Sequence, residues 1–251
     1  MKNITTSNKT NMAQIYHMDE TGSTNEELKL FALKHNVTIP YALVAKRQFA
    51  GKGTRGRKWE SSEGALLFSV ILPWDYVKLK TSLVPLVVGM SICDVLRSLG
   101  CKVSLKWPND IWFQHGKAGG ILCELSTDVG NRKVIIIGVG INKYHSTKKT
   151  TNGWSITGIG NYLNCDVDFI INKFICSLIE LFQCENDKIV RKWSEYDHFL
   201  GCELNFIVEN NKESFIGVDL GINDLGQLIL QTNQGMMTFY SGTISYDDAI
   251  N

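Results

Sequence analysis

The stretch 41–72 decides the fold: YALVAKRQ at 41–48, then Gly51-Lys52-Gly53-Thr54-Arg55-Gly56-Arg57-Lys58-Trp59, then ALLFSVIL at 65–72. The outer segments are rich in apolar and β-branched residues and too short for typical helices, so both read as strands. The glycine-rich run therefore joins strand to strand, whereas the nucleotide loops of Rossmann and P-loop proteins lie between a strand and a helix. Gly51, Gly53 and Gly56 let backbone amides approach a guest closely, while Lys52, Arg55, Arg57 and Lys58 supply charge. Phosphate or carboxylate suits such a loop; a basic surface hairpin is the alternative. Trp59 beside these cations suits a stacked, charged ligand.

Moving outward, Thr24-Asn25-Glu26-Glu27 has the spacing of a capping box and predicts a helix over 24–36. Residues 82–99 show helical apolar spacing interrupted by Asp94 and Arg97, a core helix and not a membrane span, with Gly100 closing it. Strands are expected at 102–106, 120–126 and 133–141, and helices at 168–182 and 188–198. Short connections favour antiparallel pairing. The expectation is an α+β domain over 13–197, a mixed, largely antiparallel sheet with packed helices. Over 198–251, short strands at 203–209, 214–222, 227–231 and 236–245 are separated by turn signals and predict a small β-meander or barrel. The polar segment 1–12 reads as a disordered tail without signal- or transit-peptide character, and Met1 and Met12 are both possible starts.

Composition narrows the function. With 251 residues, 26 basic against 25 acidic and a net charge of +1, the chain has no global field that calls for nucleic acid or membrane. Seven scattered cysteines without a C-x-x-C pair point to neither a disulfide framework nor a zinc knuckle, and fit a reducing cytosol. The five histidines never cluster at metal-ligand spacing, so no protein-held metal is expected.

Three further motifs carry chemistry. Lys106-Trp107-Pro108-Asn109-Asp110 ends a strand with polar groups, and its proline forces an extended or turn conformation on Trp107; a capping turn is the alternative. Lys117-Ala118-Gly119-Gly120 sets a lysine beside bare backbone, where it can meet a carboxylate or phosphate unless it is simply solvated. Gly138-Val139-Gly140-Ile141-Asn142 ends a buried strand that begins at Val134, its glycines making a flat wall or a bend, and is no dinucleotide fingerprint; two such glycines serve packing more often than binding.

Taken in order, Thr21-Gly22-Ser23-Thr24-Asn25, the 48–59 loop, Lys106 to Asp110, Lys117 to Ile121 and Gly138 to Asn142 resemble the biotin protein ligase family, over about 15–246. The resemblance implies a catalytic domain like that of class II aminoacyl-tRNA synthetases plus a C-terminal SH3-like barrel. It implies a two-step reaction: biotin and ATP give biotinyl-5′-AMP and pyrophosphate, then a lysine of a biotin carboxyl carrier domain takes the biotin. By similarity Ser23, Thr24, Asn25 and Gln48 hold biotin, with Gly51, Lys52, Gly53, Thr54, Lys117, Gly120 and Gly138 around it. Arg55, Arg57, Lys58, Trp59, Lys106, Asn109, Asp110, Asn142 and Trp154 would meet ATP or the adenylate, with Mg²⁺ brought by the nucleotide. Lys117, Arg55 and Lys106 are the implied catalytic cations; Trp154, in a second loop at 150–155, is read equally as an adenine cover or a core residue.

The chain departs from many bacterial members at the loop centre, where Lys52-Gly53-Thr54 replaces Arg-Gly-Arg. Lysine keeps charge but loses the planar fork, and Thr54 loses charge outright, which predicts weaker retention of the adenylate. Only about a dozen residues precede the catalytic pattern, leaving no room for the DNA-reading domain of some members; a homodimer is possible. A lipoate ligase or octanoyl transferase is the neighbouring alternative, and a non-catalytic RNA- or protein-binding module is an alternative of another class.

Overall fold

In the computed structural model, which describes residues 5–10, 13–61, 63–208 and 213–245, one ten-stranded sheet carries the larger part of the chain. Its strands are β1 (Thr5–Thr10), β2 (Ala13–Thr21), β3 (Tyr41–Gln48), β4 (Leu66–Pro73), β5 (Val103–Lys106), β6 (Asp110–Phe113), β7 (Gly116–Thr127), β8 (Lys133–Ile141), β9 (Ser146–Lys149) and β10 (Ser155–Ile156). They run in the order β1-β2-β3-β4-β8-β7-β10-β9, with the β5–β6 hairpin branching from β7. Pairing is antiparallel except at β2–β3 and β7–β10. Helices α1 (Thr24–Ala32), α2 (Val84–Ser98) and α3 (Val167–Phe182) pack on it, and α4 (Asn186–Trp193) packs against α2 and the strand at 214–222.

The apolar runs have two buried faces. Along β4, Leu66, Phe68, Val70 and Leu72 join the core under α2 and α3, while Ile71 joins Leu28 and Ala32 of α1 on the other side. β8 divides likewise, Ile135, Ile137 and Val139 facing one way and Val134 and Ile136 the other. A strand covered on both faces reads as a continuous apolar run. Helix α2, together with the turn before it, is long and apolar enough to cross a bilayer, but its residues Leu86 to Cys93 are buried in this core.

A second, five-stranded antiparallel sheet follows: β11 (Glu203–Ile207), β12 (Ser214–Ile222), β13 (Leu228–Thr232), β14 (Gly235–Phe239) and β15 (Thr243–Ser245), ordered β14-β13-β12-β11-β15. Its Phe206, Leu228, Leu230 and Ile244 belong to the same apolar cluster as α2 and the large sheet. Two tryptophans sew the units together: Trp107 Nε1 donates to the Gly226 carbonyl (3.0 Å) and Trp154 Nε1 to the Ile244 carbonyl (2.9 Å).

Several expectations are corrected. Thr5–Thr10, assigned to a disordered tail, pairs antiparallel with β2; its threonines suit an extended chain and β2 offers an edge. The rest of that tail, 1–4 and 11–12, lies outside the described residues. The capping box at Thr24 does not form: Ser23 is the N-cap, without a side-chain cap bond, and Thr24 is engaged elsewhere. Helix α1 stops at Ala32, short of 36, and α4 at Trp193, short of 198. The strand expected over 236–245 breaks at 240–242 into β14 and β15.

Asp219 of β12 is fully buried; Oδ1 accepts from Gly221 N–H (2.7 Å), while Oδ2 has no partner among the described residues. Burial, reinforced by Asp197, pushes its carboxyl above the ordinary range. A raised folded value favours the neutral acid, so this stability is complete below the unfolded carboxylate range and is lost as pH rises above it. Asp219→Asn should flatten that loss between pH 5 and 8, raising Tm at pH 8 by about 2–4 °C per kcal/mol recovered; thermal melts across pH check this.

Candidate active site

The elements converge on one cavity of about 460 Å³. Ser23, Thr24 and Asn25 reach it from the start of α1, Gln48 from the end of β3, and Phe68 from β4. Lys117, Gly120 and Leu122 come from β7, and Gly138, Val139 and Gly140 from β8. The β5–β6 hairpin supplies Lys106, Asn109, Asp110 and Trp112, and Asn142 and Trp154 close one side. Lys52, Gly53, Thr54, Arg55, Arg57, Lys58 and Trp59 cover it, and Gly242 and Thr243 of the C-terminal unit complete the rim.

The covering loop is a hairpin. Trp59 N–H donates to the Gly51 carbonyl (2.9 Å), Gly53 N–H to the Arg57 carbonyl (2.7 Å), and Lys52 faces Lys58 across the pair. Arg55 sits at the tip with φ +62°. Gly51, expected among the ligand-facing residues, does not line the cavity, because it forms the hairpin's neck. Two exposed ion pairs hold the hairpin: Lys52 to Glu26 (2.9 Å) on α1, and Glu60 to Lys148 (2.7 Å) on β9. Hydrogen bonds from Lys29 and Lys52 hold the Glu26 carboxyl below its ordinary range. Burial, with Arg57 close by, presses the Arg55 guanidinium down from its usual value, a crowding of positive charge that an anion relieves.

One end of the cavity is polar and neutral. Gln48 Oε1 accepts from Thr24 N–H (2.7 Å), Thr24 Oγ1 lies 2.6 Å from Ser69 Oγ, and Ser69 donates to Asn25 Oδ1 (2.5 Å). Asn25 Nδ2 donates to Glu124 (2.7 Å), which Lys29 also holds (2.6 Å). The glycines of the G-x-G-x-N segment are explained by close approach. A Cβ on Gly140 would stand 2.6 Å from the Trp59 indole, and one on Gly138 would strike the Asn25 amide. The pair thus serves packing, but of two side chains that line the cavity.

The other end is ionic. Asp110 stands between Lys106 (3.0 Å) and Lys117 (2.7 Å), its side chain 14% exposed and that of Lys106 only 5%. Burial alone would raise the Asp110 carboxyl, but the two ammonium groups outweigh it and hold the carboxyl well below the usual range. Two cations around one anion leave net positive charge, and Lys117 also lies 5.6 Å from the Trp59 ring centroid. Asn109 is otherwise occupied: its amide donates to the Ile121 carbonyl (2.8 Å) and its own carbonyl accepts from Ile121 N–H, tying the hairpin turn to β7. Trp154 packs edge-on against Trp112 at 5.0 Å and is 8% exposed, a core residue with one edge on the cavity. The described residues contain no group of three or more His, Cys, Asp or Glu able to hold a metal ion.

Residues 18–142 match the model of the biotin/lipoate A/B protein ligase family. The chain is 34% identical over 218 residues to the bifunctional ligase/repressor BirA of Escherichia coli, covering 83% of this chain and 67% of that protein. It belongs to this family. A biotin–[acetyl-CoA-carboxylase] ligase of Paracoccus denitrificans is 31% identical over 126 residues, 49% of this chain and 51% of that one. Among solved structures, the biotin protein ligase of Aquifex aeolicus in complex with biotin and ATP superposes with a TM-score of 0.73 at 30% identity, covering 92% of this chain and 97% of that one.

The family motifs did not reveal everything that builds the cavity. Ser69, Glu124 and Lys29 lie outside them, as do Phe68 and Trp112 on the walls. One signal was available for Ser69, a lone hydroxyl inside the otherwise apolar run of β4. Replacing Asp110 by Asn strips the counter-charge from two lysines, one almost buried, and should cost about 3 kcal/mol of stability. Because the folded carboxyl is depressed, its stabilisation is present above the unfolded range and is lost as pH falls below it. Denaturant titrations should show a constant difference from wild type between pH 5 and 8 that shrinks below about pH 4.

Proposed function

We propose that this protein is an ATP-dependent biotin protein ligase, and that the observation carrying this reading is the two-ended cavity: a neutral polar end at Thr24 and Gln48, an ionic end at Lys106, Asp110 and Lys117, and a cationic hairpin above both. A small ring system with a carboxylate tail fits that polarity, ring at the neutral end and carboxylate toward Lys117. The carboxylate oxygen attacks the α-phosphorus of ATP, the Pα–O bond to pyrophosphate breaks, and biotinyl-5′-AMP results. Negative charge accumulates on the phosphoryl oxygens during this step, where Lys117, Lys106 and Arg55 stabilise it. Asp110 contributes by fixing two of these ammonium groups before substrate arrives, so little reorganisation is needed. Mg²⁺ enters with ATP and keeps most of its water; both Asp110 oxygens are already engaged by lysine.

In the second step the neutral ε-amine of a lysine on a biotin carboxyl carrier domain attacks the acyl carbon, AMP leaves with the bonding pair, and the amine loses a proton. The hairpin shields the mixed anhydride from water until then. Its two exposed ion pairs are weak, and Lys52 offers a point charge where a guanidinium fork would grip. Lys52→Arg should therefore reduce leakage of biotinyl-AMP into solution in a filter-release assay, and equal leakage would remove Lys52 from the account. Seven cysteines that form no disulfide among the described residues suit a reducing cytosol as the place of work.

The direct test incubates the protein with ATP, Mg²⁺, a carrier domain, and biotin or lipoate in parallel. Biotin-dependent pyrophosphate release and carrier biotinylation are expected, and lipoylation without biotinylation would overturn the assignment. Lys117→Ala should slow adenylation by about 10²–10³-fold while changing biotin affinity much less; rapid-quench and equilibrium binding measurements separate the two.

A further inference from the structure

The hydrogen bonds beneath the neutral end of the cavity have a direction. Glu124 is a carboxylate held by Lys29 at 2.6 Å, so toward Asn25 it only accepts, and Asn25 must present its NH₂ group (Nδ2, 2.7 Å). The opposite atom, Asn25 Oδ1, is then an acceptor, and the single hydroxyl hydrogen of Ser69 is spent on it at 2.5 Å. Ser69 Oγ in turn can only accept from Thr24 across their 2.6 Å contact. The second neighbour of Thr24 Oγ1, Gln48 Oε1 at 3.2 Å, is also an acceptor, fixed in that orientation by Thr24 N–H at 2.7 Å. Whichever neighbour takes the Thr24 hydrogen, it stays within the protein. Thr24 Oγ1 thus faces a ligand with lone pairs alone.

We infer that Glu124, with Lys29, is a specificity-determining positioning residue: it polarises the Asn25–Ser69–Thr24 chain so that the cavity demands an N–H donor from its ligand. This rests on the ligase reading and deepens it. A ureido ring offers two N–H donors, whereas the dithiolane of lipoate and the alkyl end of an octanoyl chain offer none. A ligand without the donor leaves Thr24, 3% exposed, with unpaired lone pairs, and an unmet polar site discriminates far better than an apolar one. Neither Glu124 nor Lys29 needs to touch the ligand, and neither lines the cavity. Glu124 is 99 residues from Asn25 in sequence, so the arrangement exists only in the folded chain.

If the Glu124 charge is removed with its shape kept, the polarity is no longer fixed. An amide at 124 can donate to Asn25 Oδ1, Asn25 can turn its NH₂ to Ser69, and Ser69 can donate to Thr24, reversing the chain; Ser69 then occupies a Thr24 lone pair, and only the long 3.2 Å contact to Gln48 competes with the ligand for the Thr24 hydrogen. The test uses ATP–pyrophosphate exchange with biotin and with the two lactam analogues in which one ureido N–H is replaced by CH₂. The enzymes compared are wild type, Glu124→Gln and Ser69→Ala. Ser69→Ala is included because Glu124→Gln also weakens the Lys29 ion pair, whereas loss of the Ser69 hydroxyl interrupts the chain at a different point. Wild type should prefer biotin over one lactam by about tenfold or more. Both variants should raise KM for biotin, leave KM for ATP near wild type, and shrink that preference severalfold. A raised KM with the preference intact in both variants would show that these residues only shape the wall and would overturn the inference. Variants indistinguishable from wild type would overturn it as well. A wild-type protein that exchanges no pyrophosphate with biotin would instead overturn the ligase reading, and this inference with it.

Discussion

The structure turns on Asp110 held between Lys106 and Lys117. The three residues come from the ends of β5, β6 and β7, so their mutual attraction fixes the β5–β6 hairpin against the sheet as well as the charge of the cavity. Lys106 is nearly buried, and a buried ammonium group is tolerated only where a carboxylate meets it at close range. The geometry meets that demand with one anion for two cations, and the surplus of positive charge points where a phosphate or carboxylate can bind. Stability and electrostatic preparation for chemistry therefore come from the same contact.

The hairpin over the cavity is built on the opposite principle. Its own backbone bonds define its shape, but its ties to the body are ion pairs between half-exposed side chains, Lys52 with Glu26 and Glu60 with Lys148. Such pairs contribute little in water and weaken with salt. Trp59 is different: its indole packs closely against Gly120 and Gly140, with Nε1 buried and no hydrogen-bond partner among the described residues. The base of the hairpin is thus fixed by the packing of Trp59, while Lys52 and Glu60 are tied to the body by weak surface pairs.

The large sheet was legible in the sequence wherever strands were covered on both faces, because β4 and β8 read as nearly continuous apolar runs. The candidate site residues were legible within the motifs, and all but Gly51 line one cavity. What escaped depends on partners far along the chain. Thr24 looked like a helix cap because its local spacing fits one, but Gln48 and Ser69, 24 and 45 residues away, take its hydroxyl. Strand β6 was hidden because four residues after a Pro-Asn turn carry too little periodicity to register. Glu124 and Lys29 belong to none of the sequence motifs; only the fold sets them 2.6 Å apart.

The two indole bonds that cross between the units place the cavity inside a single cooperative structure. Trp107 and Trp154 stand on the segments that frame the cavity, and each delivers its N–H to a carbonyl of the C-terminal sheet. An apolar cluster shared by both sheets means that melting one would strip apolar cover from the other. Opening either sheet would expose part of this shared cluster, so the stabilities of the two are energetically coupled. The small sheet is, in this sense, the foundation against which the reactive end of the large one is braced.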